Sequence, residues 1–414
     1  HSYNIFSAAD GGFIIGGNFL GGPKDVEAPF LTRFTEDGAL IDACQAQKFD
    51  NFPTTNTGTR LYFKDLIQLT DGRIIGLLIH DRKYEIVEFS ATGERNRSNF
   101  LPDTGIPEQL ERYGAEYPNG HVFERITPRM DAAGNVIGYA LAGSKVLQQG
   151  DLAVGWVVLL DEDFRLIQDT YFTPKTTTFI DITQAPDGGF FVIGHKDWEG
   201  PLTVDSSRKA KLVYLRLNKQ LEVLDSLQEE VLISFTRHDN YKTYTRMSVH
   251  SVSGNRILVN SPGWTPEKFQ VFPQLIVLTQ DGKVLSSTSL NSFPALSGGE
   301  TSQFDYSAVA QQVLPLNGDV FTMVGENAIG QIKFSTPFFA KAHIRPDNGI
   351  DIFDANIFDI RDAPVLDSPA IGWNITRSLS PCGGFVMAAP YKISNNSGKL
   401  LVLKIDDEGI LTYD

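Results

Sequence analysis

The chain is written in short apolar runs separated by breaks marked with glycine, aspartate or asparagine. Residues 10–17 show the pattern: DGGFIIGG is a turn, an apolar run and a second pair of glycines. The device recurs. Gly11 (ADGGFIIGG) has counterparts in Gly72 (TDGRIIGLL), Gly134 (AAGNVIGYAL), Gly188 (PDGGFFVIG), Gly254 (VSGNRILVN), Gly318 (LNGDVFTMV) and Gly383 (PCGGFVMAA). Successive separations are 61, 62, 54, 66, 64 and 65 residues, a period that marks stacked supersecondary units. Each glycine lies where a tight hairpin needs positive φ, and β-prone apolar residues follow it. A phosphate-binding loop would need a helix after the glycines, and the pattern here is that of a strand.

Each unit divides into four strands. A first strand precedes the glycine, as in YNIFSAA, LYFKDLIQL, FIDITQA, RMSVHSV and NITRSLS. The second follows it and is apolar on both faces. The third ends in a turn rich in Asp, Asn and Gly, as in FLTRFTEDG, EIVEFSATG, QLIVLTQDG and LVLKIDDEG. A more polar fourth strand closes the unit, as in ALIDACQ, LEVLDSLQ and KVLSSTSL. Apolar inner strands and polar outer ones suit radial sheets packed face to face. The expectation is an all-β, seven-bladed β-propeller with four antiparallel strands per blade and no strand exchange at closure. One domain spans 1–414, with blades near 1–47, 61–100, 121–172, 177–229, 244–290, 305–357 and 372–414. Two β-sandwiches fit less well, because no linker interrupts the repeat.

Composition narrows the partners. The 414 residues carry 36 Lys and Arg against 50 Asp and Glu, a formal net charge of −14. That balance opposes binding to nucleic acid or to anionic lipid. No apolar run is long enough to span a bilayer, so no direct membrane insertion is expected. Cys44 and Cys382 provide neither a disulfide framework nor metal-ligand spacing and are read as free thiols. No metal and no other cofactor is expected.

The repeats DGGFIIGG…FLTRFTEDGALID and DGGFFVIG…LVYLRLNKQLEVLD resemble those of Bacteroidetes-type bacterial cell-surface propellers, many of them lipoproteins, built on a DGG-aromatic-apolar-Gly pattern. The resemblance runs over essentially the whole chain and departs at the fourth strand, where the family's tryptophan is missing. It implies an extracytoplasmic protein with a binding role, at the cell surface or in the periplasm, either tethered by lipid through a removed N-terminal segment or freely secreted, and it transfers no catalytic residue.

The connections are lopsided. Those between first and second strands, and between third and fourth, read as two-residue turns on one face. Those on the other face read as long loops: 18–29, 142–154, 195–211, 261–273, 325–337 and 389–399 within blades, and 47–60, 99–120, 230–243, 291–304 and 358–371 between them. Long connections on a rigid scaffold carry function, so the binding face is placed there. Trp198, Trp264, Phe269, Tyr391 and Tyr113 would form an aromatic platform or, alternatively, cap the blade edges. Residues 106–114, IPEQLERYG, read as a short helix over the same face. His195 with Asp197, and Arg237 with His238, are the polar candidates. The favoured function is non-catalytic binding of a glycan, a peptide or an outer-membrane protein by a monomer. The alternative is a polysaccharide lyase or glycoside hydrolase at the channel mouth. Two carboxylates, or a His with a Tyr or Arg, meeting in the channel within catalytic distance would discriminate.

Overall fold

A computed structural model describes residues 3–21, 26–42, 61–80, 83–101, 121–145, 154–172, 177–197, 207–236, 247–265, 270–290, 306–329, 335–358, 374–378, 383–394 and 397–412. Blade 1 is β1 (Tyr3–Ser7), β2 (Phe13–Gly21), β3 (Val26–Phe34) and β4 (Leu40–Asp42). Blade 2 is β5 (Leu61–Gln68), β6 (Ile74–His80), β7 (Lys83–Phe89) and β8 (Arg95–Phe100), and blade 3 is β9 (His121–Met130), β10 (Val136–Lys145), β11 (Val154–Leu160) and β12 (Leu166–Phe172). Blade 4 holds β13 (Thr177–Gln184), β14 (Phe190–Asp197), β15 (Ser207–Leu217), β16 (Val223–Ser226) and an added β17 (Leu232–Thr236). Blade 5 is β18 (Ser248–Val252), β19 (Arg256–Thr265), β20 (Gln270–Thr279) and β21 (Val284–Ser289), and blade 6 is β22 (Tyr306–Asn317), β23 (Val320–Ile329), β24 (Ser335–Ile344) and β25 (Ile350–Ile357). Blade 7 is β26 (Asn374–Arg377), β27 (Phe385–Ser394) and β28 (Ser397–Ile405), with its fourth position reduced to the bridge Ile405–Leu411. All pairing within the blades is antiparallel and follows chain order, except that β17 pairs with β15. The molecule is a seven-bladed propeller.

Burial follows the strand's place in its blade. β11 is buried along its whole length and β7 after its first residue, whereas β16 is exposed throughout. The core is divided among the blade junctions. Seven apolar clusters lie one to each neighbouring pair, and the last joins Ile5, Phe13 and Ile15 to Val386 and Ala388 of blade 7. The first strands touch in sequence around the axis, β1 to β5, β9, β13, β18, β22, β26 and back to β1. The ring closes by packing, and β1 pairs with β2 alone.

Two expectations are corrected. Most short turns hold three residues instead of two. In blade 1, Ala8 N donates to Gly12 O (2.9 Å) and Gly11 N to Ala8 O (3.1 Å), with Gly11 at φ 88°. This is a type I turn closed by a left-handed residue, so only one position needs positive φ. Phe164 (φ 63°) and Leu221 (φ 62°) take that left-handed place, and both side chains are buried, which offsets the strain. Gly16 has a different reason to be glycine: a Cβ there would lie 2.6 Å from both Leu31 Cδ2 and Leu66 Cδ1, at the junction with blade 2.

The second correction concerns the long loops. Several are strand: β19 and β20 pair out to Thr265–Gln270, β2 and β3 to Gly21–Val26, and β27 and β28 to Ser394–Ser397. Ser207–Lys211 is strand as well, paired with β17 in a stretch read as loop on both sides. Beyond the core a hairpin arm is held by its own backbone ladder. It therefore needs no apolar alternation and carries the Pro, Gly and polar residues that resemble a loop.

Candidate functional site

The first strands carry an inward irregularity. β5 has a register shift between Phe63 and Asp65, β9 one opposite Phe123 and Arg125, β13 one between Phe179 and Asp181, and β22 one between Ala310 and Gln312. Each bulge re-aims the residue after it toward the next blade. Asp65 Oδ2 accepts Ile126 N from blade 3 (3.0 Å), Asp181 Oδ2 accepts Val249 N from blade 5 (2.8 Å), and Gln312 Oε1 accepts Ile375 N from blade 7 (2.6 Å). Arg125 stands between the two carboxylates. Its Nη1 donates to Asp65 Oδ1 (2.9 Å) and its Nε to Asp181 Oδ1 (3.1 Å). Beside this bridge, Lys64 and Glu124 form an ion pair of 2.7 Å.

The electrostatics follow from burial. Asp65 is 1% exposed and the Arg125 side chain 25%, so the bridge is largely withdrawn from water. Desolvation raises the Asp181 carboxyl, against the pull of Arg125. Desolvation works against the Arg125 charge too, but Asp65 and Asp181 outweigh it and lift its pKa above the ordinary value. On blade 5, His250 Nε2 lies 3.0 Å from Ser248 Oγ. Burial, and then the neighbouring Arg125 charge, push that imidazole down to about 4, so it is neutral at physiological pH.

Two carboxylates and an Arg do therefore meet at the axis, with a His nearby. Each carboxylate oxygen accepts a hydrogen bond from a backbone N–H or from Arg125, which fixes both acids across the blade junctions. The arrangement is a clasp between blades. A second clasp adjoins it: Gln184 of blade 4 accepts Met130 N (2.7 Å) and donates to Met130 O (2.9 Å). Sequence reasoning missed both. The available signal was the pair DLIQ (65–68) and DITQ (181–184), with the same Asp and Gln at the same place in two repeats. Among the described residues, no group of three His, Cys, Asp or Glu could hold a metal ion.

Of the residues singled out beforehand, His195 and Asp197 lie at the end of β14, opposite Leu212 and Ala210. Trp264 lies on β19 opposite Val271, and Tyr391 on β27 opposite Lys399. All four occupy the far ends of second strands, so the topology carries them to one face of the propeller. His195 is half-buried. Trp198, Phe269, Tyr113, Arg237 and His238 fall outside the described residues, as do Cys44, Cys382 and the segment 106–114.

A second aromatic group, unforeseen in the sequence, stands at the same end of blade 3. Trp156 stacks on Phe123 (4.4 Å between centroids) and lies 6.2 Å from Tyr171. Trp156 Nε1 (3.2 Å) and Tyr171 Oη (2.8 Å) both donate to Asp169 Oδ2, and Lys145 Nζ lies 4.6 Å from the Trp156 ring centroid. It is a cross-strand stack with its polar tips satisfied.

No protein-family model and no curated protein matches the chain. Among solved structures, it resembles the β-propeller domain of the Trilobed protease from Pyrococcus furiosus, at 9% identity and a TM-score of 0.46 over 99% of this chain and 98% of that one. A Synechocystis apocarotenoid oxygenase mutant is similar at 10% identity and 0.46, over 97% and 89%. A protein from Lactobacillus plantarum is similar at 12% identity and 0.41, over 99% and 94%. At such identities and TM-scores no function passes from these proteins to this chain, and its propeller stands on its own seven sheets.

Proposed function

We propose that the protein is a non-catalytic, extracytoplasmic binding protein, a monomer that uses the face of the long connections to hold a glycan, a peptide or an outer-membrane protein. The observation that carries this reading is the commitment of Asp65, Arg125 and Asp181 to one another and to the next blade's backbone. The acid–base candidates at the axis serve the scaffold, and the partner is assigned to the strand ends on the face of the long connections. His195, Asp197, Trp264 and Tyr391 share that face through β14, β19 and β27. The charge of −14 favours a protein or neutral glycan over anionic lipid.

The competing hydrolase or lyase reading has one observation in its favour, the 3.0 Å contact of Ser248 Oγ with His250 Nε2. An imidazole pushed down to about 4 is a weak base at neutral pH, and Ser248 is buried. A glycan and peptide array with the purified protein, followed by Trp264→Ala and Tyr391→Ala, tests the binding reading. Weakened binding with an unchanged melting temperature is expected. Turnover of a polysaccharide that His250→Gln abolishes would replace it with the enzyme reading.

A further inference from the structure

Two Asn-Gly pairs occupy neighbouring turns of blade 6, and the fold treats them oppositely. Asn348 sits in the left-handed region (φ 68°) in the turn between β24 and β25. Its Oδ1 accepts Arg256 Nη1 at 3.2 Å, and the amide it would have to meet, Gly349 N–H, is donated to Asp347 Oδ1 at 3.0 Å. Asn317 closes β22 before the two-residue turn Gly318-Asp319, where Asn317 pairs with Val320. Asn317 is exposed, and among the described residues neither its side-chain amide nor Gly318 N–H has a hydrogen-bond partner.

We propose that Asn317 is a site of spontaneous covalent modification, at which the backbone converts the asparagine to a mixture of aspartate and isoaspartate, while Asn348 is protected. Gly318 N attacks the Asn317 side-chain carbonyl carbon, forming a C–N bond. The Cγ–Nδ2 bond breaks, ammonia leaves, and a cyclic imide remains. Water then opens the imide at either carbonyl, giving aspartate or isoaspartate. No oxidant, metal or enzyme is required. Glycine makes the attack sterically open, and an uncommitted N–H lets the nitrogen reach the carbon. At Asn348 both partners must first give up a hydrogen bond.

The position gives the reaction a consequence. Asp319 Oδ2 receives Arg256 Nη2 of blade 5 at 2.7 Å, and Asp319 O accepts Ile344 N at 3.0 Å. Isoaspartate at 317 lengthens the backbone next to this clamp, and either product adds a carboxylate beside it. Modification therefore loosens the junction of blades 5 and 6.

The folded protein is aged in mildly alkaline buffer, and its peptides are mapped by mass, with isoaspartate detected by enzymatic carboxyl methylation. Conversion at Asn317 is expected to outpace that at Asn348 by about tenfold or more, since each of the two hydrogen bonds that must open at Asn348 is worth up to roughly a factor of ten. Asn317→Gln should abolish the signal at that position. Asp347→Ala, which frees Gly349 N–H, should accelerate conversion at Asn348. Equal rates at the two sites, or no conversion at Asn317 in folded protein while the urea-unfolded chain reacts at both, would overturn the assignment.

Discussion

The junctions among blades 2, 3 and 4 and the junction between blades 7 and 1 perform the same task with different materials. Around Arg125, four blades are tied: two carboxylates and one guanidinium join blades 2, 3 and 4, and backbone donors come from blades 3 and 5. At ring closure, Ser7 of blade 1 shares a hydrogen bond with Thr376 Oγ1 (3.0 Å) and another with Arg377 O, and Lys404 meets Glu36 at 3.3 Å. Among the described residues, closure also has fewer buried apolar partners than the junction of blades 2 and 3. A buried ion bridge is costly to leave half-made, whereas hydroxyl contacts and a solvent-touched ion pair can open and re-form with little penalty. One side of the ring is committed, and the other is where it can loosen.

The largest expected effect tests the committed side. Arg125→Ala leaves Asp65 and Asp181 buried without their cation and should cost on the order of 3–5 kcal/mol, read from the midpoint of urea unfolding. A loss no greater than that of a surface substitution would mean the bridge is ornamental.

Next in size is a pH effect at the same junction. In the unfolded chain His250 has its ordinary value near 6.5, and in the folded protein burial and Arg125 hold it at about 4. Between those values the unfolded chain binds a proton that the native state refuses. Stability therefore falls as pH drops from about 6.5 to about 4, and this contribution is lost below that window. Asp181 acts in the opposite sense: its raised carboxyl keeps a proton to higher pH in the native state, so its contribution declines as pH rises above the ordinary value of 3.8. His250→Gln should flatten the dependence of stability on pH between about 4 and 6.5. An unchanged slope would remove His250 from the account.

Smaller effects belong to closure. Ser7→Ala should cost about 1 kcal/mol, the net worth of a hydroxyl's hydrogen bonds. Glu36→Gln should cost less than ~1 kcal/mol and become silent in high salt, because the carboxylate is 39% exposed. Amide exchange would sharpen the whole comparison: β26 and β1 should lose protection before β5, β9 and β13. The reverse order would place the weak junction elsewhere.

Much of this architecture was legible in the chain because its determinants are local and repeated. A turn that needs one left-handed residue, followed by a run apolar on both faces, prints itself on each repeat as DGGFIIGG or DGGFFVIG. Seven printings give seven blades. The polar outer strands could be read for the same reason, since solvent meets them residue by residue. Phe164 and Leu221 show the limit of that logic: they fill the glycine place because burial outweighs their strain, and burial is a property of the neighbouring strands.

Tertiary structure alone decided what the polar residues do. Asp65, Arg125 and Asp181 lie about 60 residues apart, one repeat each. Nothing local distinguishes an aspartate that grips the next blade from one that faces solvent. Only the bulges, which turn these side chains across the junction, bring the two acids to one arginine. The arms around Trp264 and Tyr391 hid for a related reason. Their ladders are held by backbone hydrogen bonds, which every residue but proline can donate to, and so they leave no side-chain pattern to read. The sequence by itself determined the repeat, its strands and its turns through local sterics and alternation. Which side chains are consumed in holding the ring was settled by distance in space.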